Sequence, residues 1–129
     1  MAKYVYPAIF TLAEEGGYLV NFPSLENCFT DGDTLAGAFE NATDVLAMMM
    51  CTLEDKGTPE APVGAPVEAP EHGEVHYIHC DTMEYRRLYS NRAVKKTLTI
   101  PAWLNTAAER HGVNFSQVLQ EALLAKLEY

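Results

Sequence analysis

Lys95-Lys96-Thr97-Leu98-Thr99-Ile100-Pro101 is the stretch on which the fold of this chain turns. From Thr97 to Ile100 polar and apolar residues alternate, the period that sinks one side of a strand and frees the other. Leu98 and Ile100 take the buried side, and Lys95, Thr97 and Thr99 take the free one. A single strand of this length is not stable alone. It asks for a partner, and the same strand from a second copy is the simplest. Two antiparallel copies make a ribbon thin enough for the major groove of DNA, with its polar side toward the base edges.

The flanks agree with this expectation. Pro101 cannot donate to a ladder but suits a helix start, so the strand ends there and a helix runs from Ala102 to about His111. Trp103, Leu104, Ala107 and Ala108 give it an apolar side, and Gly112 supplies the left-handed stop. Asn114 is placed as an N-cap with Gln117 as its reciprocal partner, and Val113 and Val118 as a hydrophobic staple. A second helix, Phe115 to about Leu127, is expected to bury Phe115, Leu119, Ala122 and Leu123. Its first-turn amides, beside Ser116, form a seat for a phosphate. Lys95 to Leu127 thereby resembles a ribbon-helix-helix DNA-binding domain, the Arc/MetJ fold. The resemblance implies base reading by Lys95, Thr97 and Thr99, phosphate clamping by Asn114, Phe115 and Ser116, and a shared dimer core at Leu98 and Ile100. The first helix is about a turn shorter than in Arc-like members.

Charge is divided along the chain. The net value of −9 over 129 residues is unexpected for a DNA binder. Residues 1–90, however, hold 15 Asp and Glu against 4 Lys and Arg, whereas residues 91–129 hold 3 against 5. A phosphate-binding surface needs local rather than global positive charge. The acidic part then faces away from DNA and suits a basic partner. Cys28, Cys51 and Cys80 include no close pair and read as free thiols of a reducing cytoplasm. No stretch reads as a leader or a membrane span, so membrane association is not expected.

In the first ninety residues, Tyr4–Leu12 and Tyr18–Phe22 read as a hairpin around Glu14-Glu15-Gly16-Gly17, and Cys28-Phe29-Thr30 as a third strand. Asp33 or Thr34 caps a helix from Leu35 to about Asp55. Its core stripe is Leu35, Ala38, Phe39, Ala42, Leu46, Met49 and Leu53. Met48, Met50 and Cys51 widen the apolar surface, as for a contact between copies. Pro59, Pro62, Pro66 and Pro70 mark the connection 57–74 as extended. Val75–Cys80 returns as a strand, and residues 81–90 form a short helix with Arg86 and Arg87 exposed.

This half resembles the HicB antitoxin domain. The resemblance rests on Tyr6-Pro7-Ala8, Glu14-Glu15-Gly16-Gly17-Tyr18, Phe22-Pro23 and Cys28-Phe29-Thr30-Asp31-Gly32-Asp33-Thr34-Leu35. Ser24, Glu26 and Asn27 stand where the family often has Asp and Pro-Gly. It implies a partial ribonuclease H-like sheet with one long helix. The expected whole is α+β: a toxin-binding domain at 1–90 and a ribbon-helix-helix domain at 91–129. HicB proteins pair with HicA, a small basic toxin that cleaves mRNA with a histidine, and repress the operon encoding both. By that resemblance the chain is a non-enzymatic type II antitoxin and autorepressor. Its partners are a HicA-like toxin, an inverted-repeat operator, and itself as dimer or tetramer. Glu14, Glu15, Asp31 and Asp33 are the candidate toxin contacts.

Other chemistries have weaker footing. Ala8, Ile9, Leu19 and Val20 stand where two-metal nuclease carboxylates would be needed. His72, His76, His79 and Cys80 cluster, but the spacing fixes no metal ligand set, and no metal or cofactor is expected. The competing function is a ribbon-helix-helix regulator whose N-terminal half binds some other ligand.

Overall fold

The structure, a computed structural model, describes residues 2–128. The chain divides after Arg92 into two compact units, Met1–Arg92 and Ala93–Tyr129. Among the described residues the elements are β1 (Lys3–Leu12), β2 (Tyr18–Asn21), β3 (Phe29–Gly32), α1 (Leu35–Asp55), β4 (Gly73–Asp81), α2 (Thr82–Tyr89), α3 (Ala102–Arg110) and α4 (Phe115–Leu127). The result is a mixed α+β chain with one antiparallel sheet in the order β3-β2-β1-β4.

In the first unit, alternation along β1 places Tyr4, Tyr6, Ala8 and Phe10 on one face, where all four are buried. β2 adds Val20, β4 adds Ile78 and Cys80, and α1 covers them with Ala38, Ala42, Leu46 and Met50. Each large side chain sealed there, such as Phe22 or Leu46, contributes about 1.5–3 kcal/mol. Thr34 is the cap: its Oγ1 accepts from Gly37 N at 3.0 Å. At the other end Gly57 takes φ +75° and Thr58 N donates to Leu53 O at 2.9 Å, the glycine stop of a helix. Gly32 is required for another reason. A side-chain carbon there would fall inside contact distance of the Ala38 backbone, so only glycine lets β3 lie this close to α1.

Several sequence expectations are corrected. Met50 and Cys51 belong to the core, and of the three residues assigned to a surface only Met48 is exposed. Leu35, placed on the core stripe, is exposed, and the third strand, expected at Cys28–Thr30, runs on through Asp31 and Gly32. Arg86 is held in a network rather than exposed. Asn27 adopts φ +57°, a left-handed turn that asparagine tolerates, and Phe22 N donates to Cys28 O at 3.0 Å.

The proline-rich connection is extended and docked. β2 pairs only with Ile9–Leu12, so the N-terminal half of β1 lacks a strand on that side. Residues 62–64 fill the place: Val5 N donates to Pro62 O and Gly64 N to Val5 O, both at 2.9 Å. Tyr6 OH adds a bond to Ala61 O at 2.6 Å.

The second unit has α3 and α4 where the sequence placed them, with Gly112 at φ +65° between. Residues 91–100 form no strand within the chain.

Candidate functional site

The second unit has no interior of its own. None of the described residues from 93 onward is buried. Phe115, Leu119, Ala122 and Leu123, expected to be sealed in α4, are open to solvent in part or in whole, as is Trp103 on α3. Leu98 is 58% exposed and Ile100 42%. Together with Phe115, Val118, Leu119 and Ala122 they line an apolar groove of about 480 Å³, edged by Lys96, Asn105 and Ser116. A unit of this size cannot hold two helices by propensity alone, because most helical stability comes from packing an apolar face.

At the start of α4, Asn114 Oδ1 accepts from Gln117 N at 3.1 Å, a cap of the kind worth about 1 kcal/mol. The reciprocal half of the expected box is absent: the Gln117 side chain reaches forward to Glu121 Oε1 at 3.1 Å. Among the described residues no group takes the amides of Phe115 and Ser116, so this helix start offers two free donors at its positive end. Lys95, Thr97 and Thr99 are exposed beside the groove-lining Leu98 and Ile100.

In the first unit the fold gathers four acids that the sequence scatters. The hairpin closes through Ala13 N to Gly17 O at 3.0 Å, with Gly16 at φ +94° and Gly17 at φ +79°. Tyr18 pairs with both Leu12 and Gly32, which brings the end of β3 beside the turn. Glu14, Glu15, Asp31 and Asp33 therefore line one open cleft of about 610 Å³, with Leu12, Tyr18 and Leu19. Asn41 Nδ2 donates to Asp31 O at 2.8 Å and fixes this corner to α1.

A further set of polar residues, not anticipated from sequence, joins α1 to α2. Glu54 Oε2 accepts from Tyr4 OH at 2.8 Å and from Thr82 Oγ1 at 3.0 Å, and Glu54 Oε1 from Arg86 Nη2 at 3.0 Å. The same Arg86 nitrogen lies 3.0 Å from Asp55 Oδ1 and donates to Cys51 O at 3.2 Å. Burial opposes ionisation of Glu54, whose side chain is 7% exposed, but bonds from Arg86, Tyr4 and Thr82 help bring its carboxyl down to about 2. Arg86 is raised by the same contact with Glu54. The network ties the end of α1 to α2 and, through Tyr4, to β1.

The histidines do not converge. His76 is packed against the rings of Phe10 and Phe39, centroids 4.9 and 5.1 Å away, and its Nε2 lies 3.0 Å from Glu74 Oε2. Among the described residues no three His, Cys, Asp or Glu side chains are grouped to hold a metal ion. Burial pushes the thiols of Cys28 and Cys80 up to about 11 and about 12, so they stay protonated and pack as small apolar groups. No described helix is long and apolar enough to cross a membrane.

No family model matches the chain. Over 41 residues, 32% of its length, it is 46% identical to Antitoxin HicB of Escherichia coli and equally to Antitoxin HicB 1 of Photorhabdus laumondii. These matches span 30% and 26% of the two relatives, so the chain covers less than a third of either. A solved chain of a toxin-antitoxin complex from Streptococcus pneumoniae is similar over nearly the whole length. It has a TM-score of 0.58 and 26% identity, covering 96% of this chain and 99% of that one. The local match is thus to HicB antitoxins, and the fold is shared with a chain of that toxin-antitoxin complex over nearly its whole length.

Proposed function

We propose that the chain is the antitoxin of a HicAB-like system. Its first unit binds and masks a small basic, mRNA-cleaving toxin of the HicA kind, and it performs no catalysis itself. Two copies of its second unit form a ribbon-helix-helix that binds an inverted-repeat operator and represses the operon. The observation that carries the DNA-binding half is the open groove around Leu98, Ile100 and Phe115 in a unit none of whose described residues is buried. A second copy closes that groove, pairs residues 95–100 across a two-fold axis, and leaves Lys95, Thr97 and Thr99 facing outward. The acidic cleft supports the toxin-binding half, since opposite charge speeds encounter and orients it.

Operator binding by Lys95→Ala, Thr97→Ala, Thr99→Ala tests the ribbon. Removing one good base-edge hydrogen-bonding pair costs about 1–3 kcal/mol, so the triple variant binds at least a hundredfold more weakly, while its dimer mass is unchanged. Replacing Lys96 alone weakens all sequences alike and flattens the dependence on salt. Wild-type affinity in the triple variant, read by gel shift on the promoter fragment, removes the ribbon from DNA recognition.

A further inference from the structure

The two faces of the sheet differ in a way the antiparallel plan does not require. A face turned from the core ordinarily carries polar residues. Here the register assembles Val5, Ile9, Leu19, Phe29, Val75 and Tyr77 on that outer face, with Thr11, Asn21 and His79 among them. Phe29 is 67% exposed, Tyr77 52% and Leu19 51%. Ile9, Leu19 and Phe29 line a shallow groove of about 280 Å³, and Leu19 also forms a wall of the acidic cleft. Apolar ground thus runs directly into Glu14, Glu15, Asp31 and Asp33. Contiguous apolar surface with a charged rim is the anatomy of a protein interface.

We propose that this outer sheet face is where the toxin docks, with Phe29 and Leu19 as the apolar anchors and the four carboxylates as the rim. The inference rests on the antitoxin reading and deepens it. The occupant is a small basic protein that presents apolar side chains within a ring of Lys and Arg. Charge selects it over a second copy of this chain. Residues 1–92 hold 15 Asp and Glu against 5 Lys and Arg, and a two-fold pairing centred on the groove would set one acidic rim against another. Anchors in a dried centre set the dissociation rate, whereas rim charges set association and its salt dependence.

The test uses the full chain and an inactivated form of the small basic HicA-like protein from the same operon, with rates read by surface plasmon resonance. Phe29→Ser raises Kd about 30-fold or more, chiefly through faster dissociation. Glu14→Gln with Glu15→Gln slows association several-fold at low salt, a difference that vanishes at about 0.5 M salt. Thermal melting of Phe29→Ser stays at the wild-type value because the side chain is exposed, so weaker binding is not mistaken for unfolding. Wild-type toxin affinity in both Phe29→Ser and Leu19→Ser overturns the assignment of this face while leaving the antitoxin reading intact. A Phe29→Ser chain of lower oligomeric mass with unchanged toxin affinity also overturns it, by making the face a self-contact. If the unaltered chain does not bind the basic protein at all, the antitoxin reading falls and this inference falls with it.

Discussion

Leu98→Asp yields a chain that stays monomeric at micromolar concentration and no longer shifts operator DNA. In the single chain Leu98 is 58% exposed, so the carboxylate costs the isolated unit almost nothing. The whole penalty falls on association. Pairing two copies of residues 95–100 would seal two carboxylates, one from each strand, in a common apolar core. A buried charge with no compensating partner costs roughly 3–5 kcal/mol, two to almost four powers of ten in the dimer constant. Sedimentation velocity reads the mass and a gel shift reads the DNA. A Leu98→Asp chain that remains dimeric through its second unit shows that the strands are not shared. Thr97→Asp is the matched control: it lies on the polar side, so it leaves the dimer whole and abolishes only DNA binding.

Arg86→Ala is the second large effect, and it acts on the first unit. The guanidinium holds Glu54 and Asp55 at the end of α1 and so fastens α2 to the sheet and helix. Removing it leaves a nearly buried carboxylate without its guanidinium. The hydroxyls of Tyr4 and Thr82 still donate to Glu54, so the lower end of the usual range applies, about 3 kcal/mol. Against a total stability of about 5–15 kcal/mol that is a large fraction, and calorimetry should show the melting of this unit fall by more than about 10 °C. The same network sets an acid limb. The folded carboxyl lies near about 2, below its ordinary value of 4.5, so the folded state prefers the ionised form. Its stabilisation, on the order of 3 kcal/mol, is complete above the ordinary value and is lost as pH falls from there toward 2. Glu54→Gln flattens the stability profile across that window. An unchanged acid limb in Glu54→Gln assigns the transition to other carboxylates.

What can be read from residues alone is local. The α1 boundaries follow from a cap at Asp33 or Thr34 and from helical spacing, and the structure has the helix at Leu35–Asp55 with Thr34 as the cap. The same holds for α4, where Asn114 marks the start. The second helix of the first unit falls within residues 81–90 as read, and the structure adds its cap: Asp81 accepts from Met83 N at 2.9 Å. Failures come where a partner lies far along the chain. Arg86 looks like a solvated charge until Glu54, thirty-two residues earlier, is seen beside it. Met50 and Cys51 look like surplus on an apolar face until the sheet seals Met50 and α2 covers Cys51: Arg86 donates to Cys51 O, and Cys51 Sγ donates to Thr82 O at 3.8 Å. Glu14, Glu15, Asp31 and Asp33 read along the chain only as carboxylates flanking turns, and strand register is what unites them in one cleft. The outer sheet face is not legible at all. Alternation reports which residues share a side, but a third strand of four residues is too short to reveal that its exposed side is apolar.

The docked peptide at residues 62–64 has a bearing on how this protein stays dispersed. Where β2 stops, the bare backbone of β1 would act as a template onto which strands of other molecules could stack, seeding fibrils. Pro62 and Gly64 engage both polar groups of Val5, so this stretch of β1 no longer offers them to a foreign strand. The connection thus plugs an internal gap in the sheet that a flexible glycine-serine spacer of equal length, with no preference for an extended backbone, would fill less readily.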